Sequence, residues 1–223
     1  MLKIQLIASS NSGELPASRL YSHMGAIAAL VLISLLSSSG GSPVQHTISN
    51  FWEGLIWGIA DPVISLNRLA GIVAIGLLAA RFGSGVWIGV SFVIAAFCGQ
   101  MIHLYQHNLP GQEIAIAICT IAFGIILVRQ IQLSWLVIAI LGAAAGLFQG
   151  YADGESIIGA GIFTVVAYIT GVILTQSVIF LCTREVGAII GCRKIQPILP
   201  SKIRWAGLAF CGIGIVFLGQ SFI

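Results

Sequence analysis

The chain has 223 residues, of which 58% are hydrophobic and only 8% are charged, with a formal net charge of +3. A soluble domain carries about a quarter charged residues, so the composition excludes an ordinary soluble enzyme and indicates an integral membrane protein. The lipid bilayer is therefore the first partner that we expect, and the small net charge gives no indication of a nucleic-acid partner.

The N-terminal segment combines a polar start, a short apolar run over 25–36 and the small-residue sequence SSSGGSP. An apolar run of this length is short for a membrane crossing and is typical of a signal peptide. Because the polar start is longer than usual, an uncleaved anchor is the other interpretation. We expect residues 1–39 to be a signal peptide or N-terminal anchor, 40–50 a polar linker and 51–223 the transmembrane domain.

Seven continuous apolar blocks follow the linker, and only Asp61 and Pro62 separate the first two. The first block, 51–60, is too short to cross a hydrocarbon core of about 30 Å at about 1.5 Å per residue. We therefore interpret 51–80 as one broken crossing, with Asp61 as the N-cap and Pro62 as the first residue of its second half. The predicted fold class is all-α, a polytopic bundle of about six transmembrane helices, the other five being 85–106, 113–129, 132–150, 157–182 and 204–222.

The charges in the connecting segments predict the orientation, because Lys and Arg in short loops favour the cytoplasmic side. With six alternating crossings, one end receives the basic residues Arg81, Arg129, Arg184, Arg193, Lys194, Lys202 and Arg204. The other end receives Glu113, Asp153 and Glu155. We expect a protein of the bacterial inner membrane, with the basic loop 183–204 in the cytoplasm and the C-terminus outside.

The sequence GAAAGLFQG predicts close helix packing, because Gly142, Gly146 and Gly150 recur at four-residue spacing. Simple packing is the interpretation that we prefer. It brings the neighbouring Gln149 and Asp153 against another helix.

Ionisable side chains inside apolar segments are the candidate functional residues, since a central Arg or Asp costs roughly 2.5–3.5 kcal/mol on insertion scales. Asp61 and Arg68 are seven residues apart, and Gln149 and Asp153 are four apart. Each pair shares a helical face if its helix is continuous. We predict a single polar cluster near the outer side that contains these four residues and Asn67.

The sequence HLYQH is a second candidate, in which His103 and His107 have the i, i+4 spacing of helical metal motifs. Glu113 is the third ligand if the NLPGQ sequence turns the chain back. A solvated helix end, with Tyr105 at the membrane interface, is the interpretation that we prefer. One His that ligates a haem or pigment is a further alternative.

Motifs of soluble enzymes are missing from the sequence, which contains no G-x-S-x-G, P-loop or H-E-x-x-H sequence. We therefore expect no enzyme activity. Without a nucleotide-binding motif, any transport is expected to be secondary.

The layout FWEGLIWGIADPVISLNRLAGIVAIGLLAARFG, followed by LFQGYADGES, resembles the HupE/UreJ family of hydrogenase- and urease-associated membrane proteins. The resemblance covers about residues 51–182. It implies a secondary permease for nickel and, in some members, cobalt, and it agrees with an N-terminal signal peptide. In that family the motifs H-P-x-x-G-x-D-H and H-G-x-x-H together resemble a metal site.

This chain departs from both motifs. Asp61 and Arg68 stand at the two His positions of the first motif, Asn67 stands at its Asp, and Gln149 and Asp153 stand at the two His positions of the second. The resemblance implies that these five residues are the inherited site for Ni²⁺ or Co²⁺ as the transported ion.

Arg68 leaves two functions open, because it brings a permanent positive charge to a ligand position. In the first, the protein is a secondary permease with an altered, oxygen-rich site. In the second, Arg68 pairs with Asp61 and Asp153, and the protein is a non-transporting structural or accessory subunit of a membrane complex. A homo-oligomer is compatible with both.

Overall fold

The structure, a computed structural model, describes residues 17–38, 48–107, 109–129, 131, 133–192 and 199–222. Within these residues the chain forms eight α-helices and one short 3₁₀ turn at Glu155–Ile157. The helices are α1 (Ala17–Ser38), α2 (Phe51–Ile64), α3 (Leu66–Ala79), α4 (Gly85–Leu104), α5 (Gln112–Arg129), α6 (Trp135–Gly154), α7 (Ile162–Cys192) and α8 (Leu199–Gln220).

The apolar blocks of the sequence become the membrane-crossing helices. Length and apolar composition qualify five described segments as spans: Gly85–Leu104, Gln112–Arg129, Trp135–Ile157, Ile162–Ile190 and Ile203–Gln220. α2 and α3 qualify as a sixth only when they are taken together, because they meet at an angle of 76°. The predicted all-α bundle of about six transmembrane helices is confirmed.

The break in the first crossing lies at Ser65 and not, as predicted, at Asp61. α2 continues through Pro62 to Ile64, so Asp61 is not an N-cap but lies in the last turn of α2. This part of α2 packs against α7, where Gly58 lies directly against the backbone of Tyr168, and the amide of Ser65 still donates to the backbone oxygen of Asp61. The chain becomes extended only at Ser65 (φ −82°, ψ 109°), and α3 starts at the next residue.

α7 is longer than the predicted crossing, because its 31 residues run from Ile162 to Cys192. At about 1.5 Å per residue it exceeds a hydrocarbon core of about 30 Å, so one end extends beyond the core. The predicted loop 183–204 is therefore partly helical, since 183–192 belong to α7 and 199–204 to α8. Arg193 and Lys194 lie outside the described residues, and the side of the membrane stays a prediction.

α3 is the central helix of the bundle. All of its residues except Arg68 and Leu77 are buried, and it packs against α4, α5, α6, α7 and α8. The largest apolar core surrounds its side chains, among them Ile72, Ile75 and Leu78. Because Asn67 and Arg68 lie in its first turn, the fold carries them into the middle of the protein.

The three glycines of α6 that recur at four-residue spacing lie at helix contacts. Gly146 and Gly150 face the backbone of Phe92 and Ala96 in α4, and a Cβ atom at either would collide with a carbonyl oxygen. Gly142 instead faces the side chain of Ile75 in α3. These glycines therefore allow α6 to pack closely against both α3 and α4, and this packing positions the last turns of α6.

α1 packs against the broken crossing, with contacts to α2, α3 and α7. The hydroxyl of Ser34 donates a hydrogen bond to the carbonyl oxygen of Ile64, 3.2 Å away, at the end of α2. Residues 1–16 and 39–47 lie outside the described residues, and with them the end of the predicted signal peptide or anchor. The division into signal or anchor, linker and membrane domain stays a prediction.

Candidate functional site

The break between α2 and α3 places Asp61 and Arg68 on either side of a sharp bend. Arg68 lies in the first turn of α3, where the helix dipole disfavours a positive charge. It therefore needs acidic partners in the surrounding helices.

Arg68 finds its main partner in Asp153 at the end of α6. Its Nη1 atom lies 2.6 Å from Oδ1 of Asp153. The Asp153 side chain is fully buried, and that of Arg68 is 16% exposed. Oδ2 of Asp153 accepts a second hydrogen bond from Nε2 of Gln176 at 3.3 Å. Both oxygens of this carboxylate thus have partners, as a buried charge requires.

Asp61 is held by a tyrosine and not by Arg68. The hydroxyl of Tyr168 lies 2.5 Å from Oδ2 of Asp61 and 3.0 Å from the backbone oxygen of Asp153. Among the described residues, Asp61 has no basic side chain within ion-pair distance. The predicted direct pairing of Asp61 with Arg68 is wrong, because the chain bends at Ser65 and the two residues do not share a helical face.

The two amides of the predicted cluster hold the start of α3. Nε2 of Gln149 donates to the backbone oxygen of Arg68 at 2.9 Å, and Oδ1 of Asn67 accepts from Thr120 at 3.3 Å. Nδ2 of Asn67 is buried and has no partner among the described groups. All five predicted residues therefore lie around the same bend, although Asp61 reaches it through Tyr168.

Glu113 belongs to this cluster and not to the histidine motif. It lies at the start of α5, with Oε1 3.9 Å from Nη2 of Arg68 and the side chain 49% exposed. It also lines an open cavity of about 690 Å³ between the start of α5 and the end of α8, together with Leu109, Tyr151 and Phe217. Of the cluster, Glu113 is therefore the residue that borders this cavity.

The proposed ligand group of His103, His107 and Glu113 is not formed. α4 ends at Leu104 and Gln106 has a positive φ of 57°, so His107 leaves the helix and does not share a face with His103. Across the described ranges, no three His, Cys, Asp or Glu side chains converge as a metal-binding group. This secondary prediction is wrong because a helix end intervenes.

The cluster contains more acid than base. Glu113 and Asp153 contact Arg68, and Asp61 reaches the same bend through Tyr168, so three carboxylates against one guanidinium leave two negative charges in excess when all are ionised. The guanidinium therefore does not balance the cluster by itself.

Tyr168 and Gln176 were not identified from the sequence. They are eight residues apart on α7, both are fully buried, and both contact a carboxylate of the cluster. Their helical spacing within a continuous apolar segment is the signal that could have revealed them.

The fold and the cluster define a class, that of polytopic membrane proteins with a charged site at a broken helix. The family model described as "HupE / UreJ protein" matches residues 25–217. The chain belongs to the HupE/UreJ family, as the sequence motifs indicated.

A curated relative is Protein HupE of Rhizobium leguminosarum bv. viciae. It is 30% identical over 104 residues, which are 46% of this chain and 54% of that protein. The alignment thus spans about half the length of the relative. No solved structure matches the chain.

Proposed function

We propose that this hydrogenase- or urease-associated membrane protein is a secondary permease for a divalent cation of the nickel and cobalt class. The observation that supports it is the cluster of three carboxylates and one guanidinium at a broken helix. Secondary transporters place substrate sites at such discontinuous helices, where irregular backbone borders a cavity.

The excess of two negative charges fits a divalent cation. Oxygen ligands from Asp153 and Glu113, which both contact Arg68, would bind the ion together with water, and its charge would compensate the excess to which Asp61 contributes. Arg68 competes with the cation for Asp153 and therefore weakens binding. A transport site needs this balance, because an ion that is bound too tightly does not leave.

Uptake of radioactive nickel and cobalt tests the proposal, in cells that lack their own uptake systems. We expect uptake by the unmodified protein and a loss of about tenfold or more in Asp153→Asn when uptake is compared per amount of folded protein in the membrane. The matched control is Glu185→Gln, which removes a carboxylate that contacts Arg184 and lies outside the cluster. Equal uptake by both variants would contradict the proposed site.

The contact between Arg68 and Asp153 favours a second candidate function. Nη1 of Arg68 lies 2.6 Å from Oδ1 of the buried Asp153, so this carboxylate already has a cationic partner. Such pairing is expected of a non-transporting subunit that packs into a membrane complex. This candidate predicts no uptake at normal membrane levels of the protein. It also predicts that a hydrogenase or urease component co-purifies with the chain.

A further inference from the structure

Two polar side chains on α4 lie outside the cluster and lack partners. Gln100 is fully buried, and neither its amide oxygen nor its amide nitrogen has a partner among the described groups. Nδ1 of His103 is buried and also unpartnered. The two residues are three positions apart and share a helical face. Three unpartnered buried atoms within one turn are unusual and require an explanation, which a bound ligand would supply.

The imidazole of His103 packs against a tyrosine that is held by two hydrogen bonds. The ring of Tyr151 lies against it, with 4.4 Å between ring centroids and an interplanar angle of 58°. The hydroxyl of Tyr151 accepts from the amide of Leu109 and donates to the backbone oxygen of His107, both at 2.9 Å. This contact limits the positions that the histidine ring can adopt.

Gly154 of α6 packs closely against His103. A Cβ atom at Gly154 would lie 2.7 Å from Cβ of His103. Gly154 directly follows Asp153, so the histidine lies beside the turn of α6 that carries the carboxylate of the cluster.

The chemistry of these atoms fits a borderline divalent ion. An amide oxygen and an imidazole nitrogen are both ligands for Ni²⁺ and Co²⁺. Two protein ligands leave the remaining positions to water, so binding is weak and exchange is rapid. Such a site suits an ion in transit.

We propose that Oε1 of Gln100 and Nδ1 of His103 form a second binding site for Ni²⁺ or Co²⁺, next to the carboxylate cluster. The choice of ion rests on the proposed function, whereas the two ligands follow from the geometry of α4. His107 and Glu113 take no part in this site.

A titration of the purified, metal-free full-length protein with Co²⁺ alone tests the site. The readouts are the visible absorption of bound Co²⁺ and the shift in thermal midpoint. We expect His103→Phe, which keeps the ring contact with Tyr151, to weaken binding by about tenfold or more. Gln100→Leu should do the same. His107→Ala, whose side chain is exposed, is the matched control and should bind as the unmodified protein does.

Folding is controlled within the same experiment. Gln100→Leu removes a buried amide without partners, so its thermal midpoint without metal should equal or exceed that of the unmodified protein. A bridging water in place of a metal would also satisfy the two side chains. In that case Gln100→Leu lowers the midpoint and Co²⁺ has no effect, which overturns the proposal.

Co²⁺ binding that is unchanged in His103→Phe would also overturn it. Asp153→Asn separates the two proposals, since it should retain the signal that depends on His103 while uptake is lost. If no uptake occurs and this signal is present, the permease proposal fails and the second site stands. If uptake is normal and this signal is missing, the permease proposal stands and the second site fails.

Discussion

At the scale of single residues, the contact between Arg68 and Asp153 is the central interaction of the cluster. A buried ion pair is not strongly stabilising by itself, because both groups lose their hydration. Removal of one partner is costly, however, because the other charge stays buried and unpaired. The pair therefore determines which substitutions the cluster tolerates.

Arg68→Leu should lower stability in detergent by about 3–5 kcal/mol, since it leaves Asp153 buried without its cation. The double variant Arg68→Leu with Asp153→Asn should recover much of this loss. The measurement is the thermal midpoint and the yield of monodisperse protein. Arg129→Leu, at an exposed position at the end of α5, is the control and should behave as the unmodified protein does. Equal losses in the single and double variants would show that the pairing has no energetic role.

At the scale of secondary structure, the glycines of α6 set the distance between α4 and α6. This contact determines where Asp153 and Gly154 lie, and so it positions both the cluster and His103. Small residues allow this close approach because the two backbones touch without intervening side chains.

Gly150→Ala should destabilise the bundle by about 1–3 kcal/mol, because the added methyl group collides with the backbone oxygen of Ala96. Gly212→Ala in α8 is the matched control, since nothing lies within 4 Å of its added atom. It should be neutral or slightly stabilising, as Ala favours a helix over Gly. Thermal unfolding of both variants in detergent checks the difference, and equal midpoints would contradict the packing argument.

At the scale of the whole molecule, acidic and basic residues near the helix ends lie mainly at opposite ends of the bundle. Glu113, Asp153 and the 3₁₀ turn lie at the end of the bundle where α4 and α6 end and α5 starts. Arg81 lies just after α3 and Arg129 is the last residue of α5, so both lie at the opposite end. The preference of basic residues for the cytoplasm predicts that the cavity beside Glu113 opens outside.

Labelling with a membrane-impermeant thiol reagent tests this orientation. Ser156→Cys, in the exposed turn after α6, should react in intact cells. Gly83→Cys, in the exposed connection before α4, should react only after permeabilisation. Each is compared with the unmodified protein, which accounts for the native cysteines. The reverse pattern would place the C-terminus and the cavity on the cytoplasmic side.

The sequence by itself determined the fold class, the approximate spans and the family, because long apolar segments and helical spacing are local properties. It also predicted the five residues of the polar cluster, at positions that the family resemblance implies. The tertiary structure decided their partners, through contacts between helices far apart in the chain. With the bend at Ser65, Asp61 contacts Tyr168, and Arg68 contacts Asp153 and Glu113.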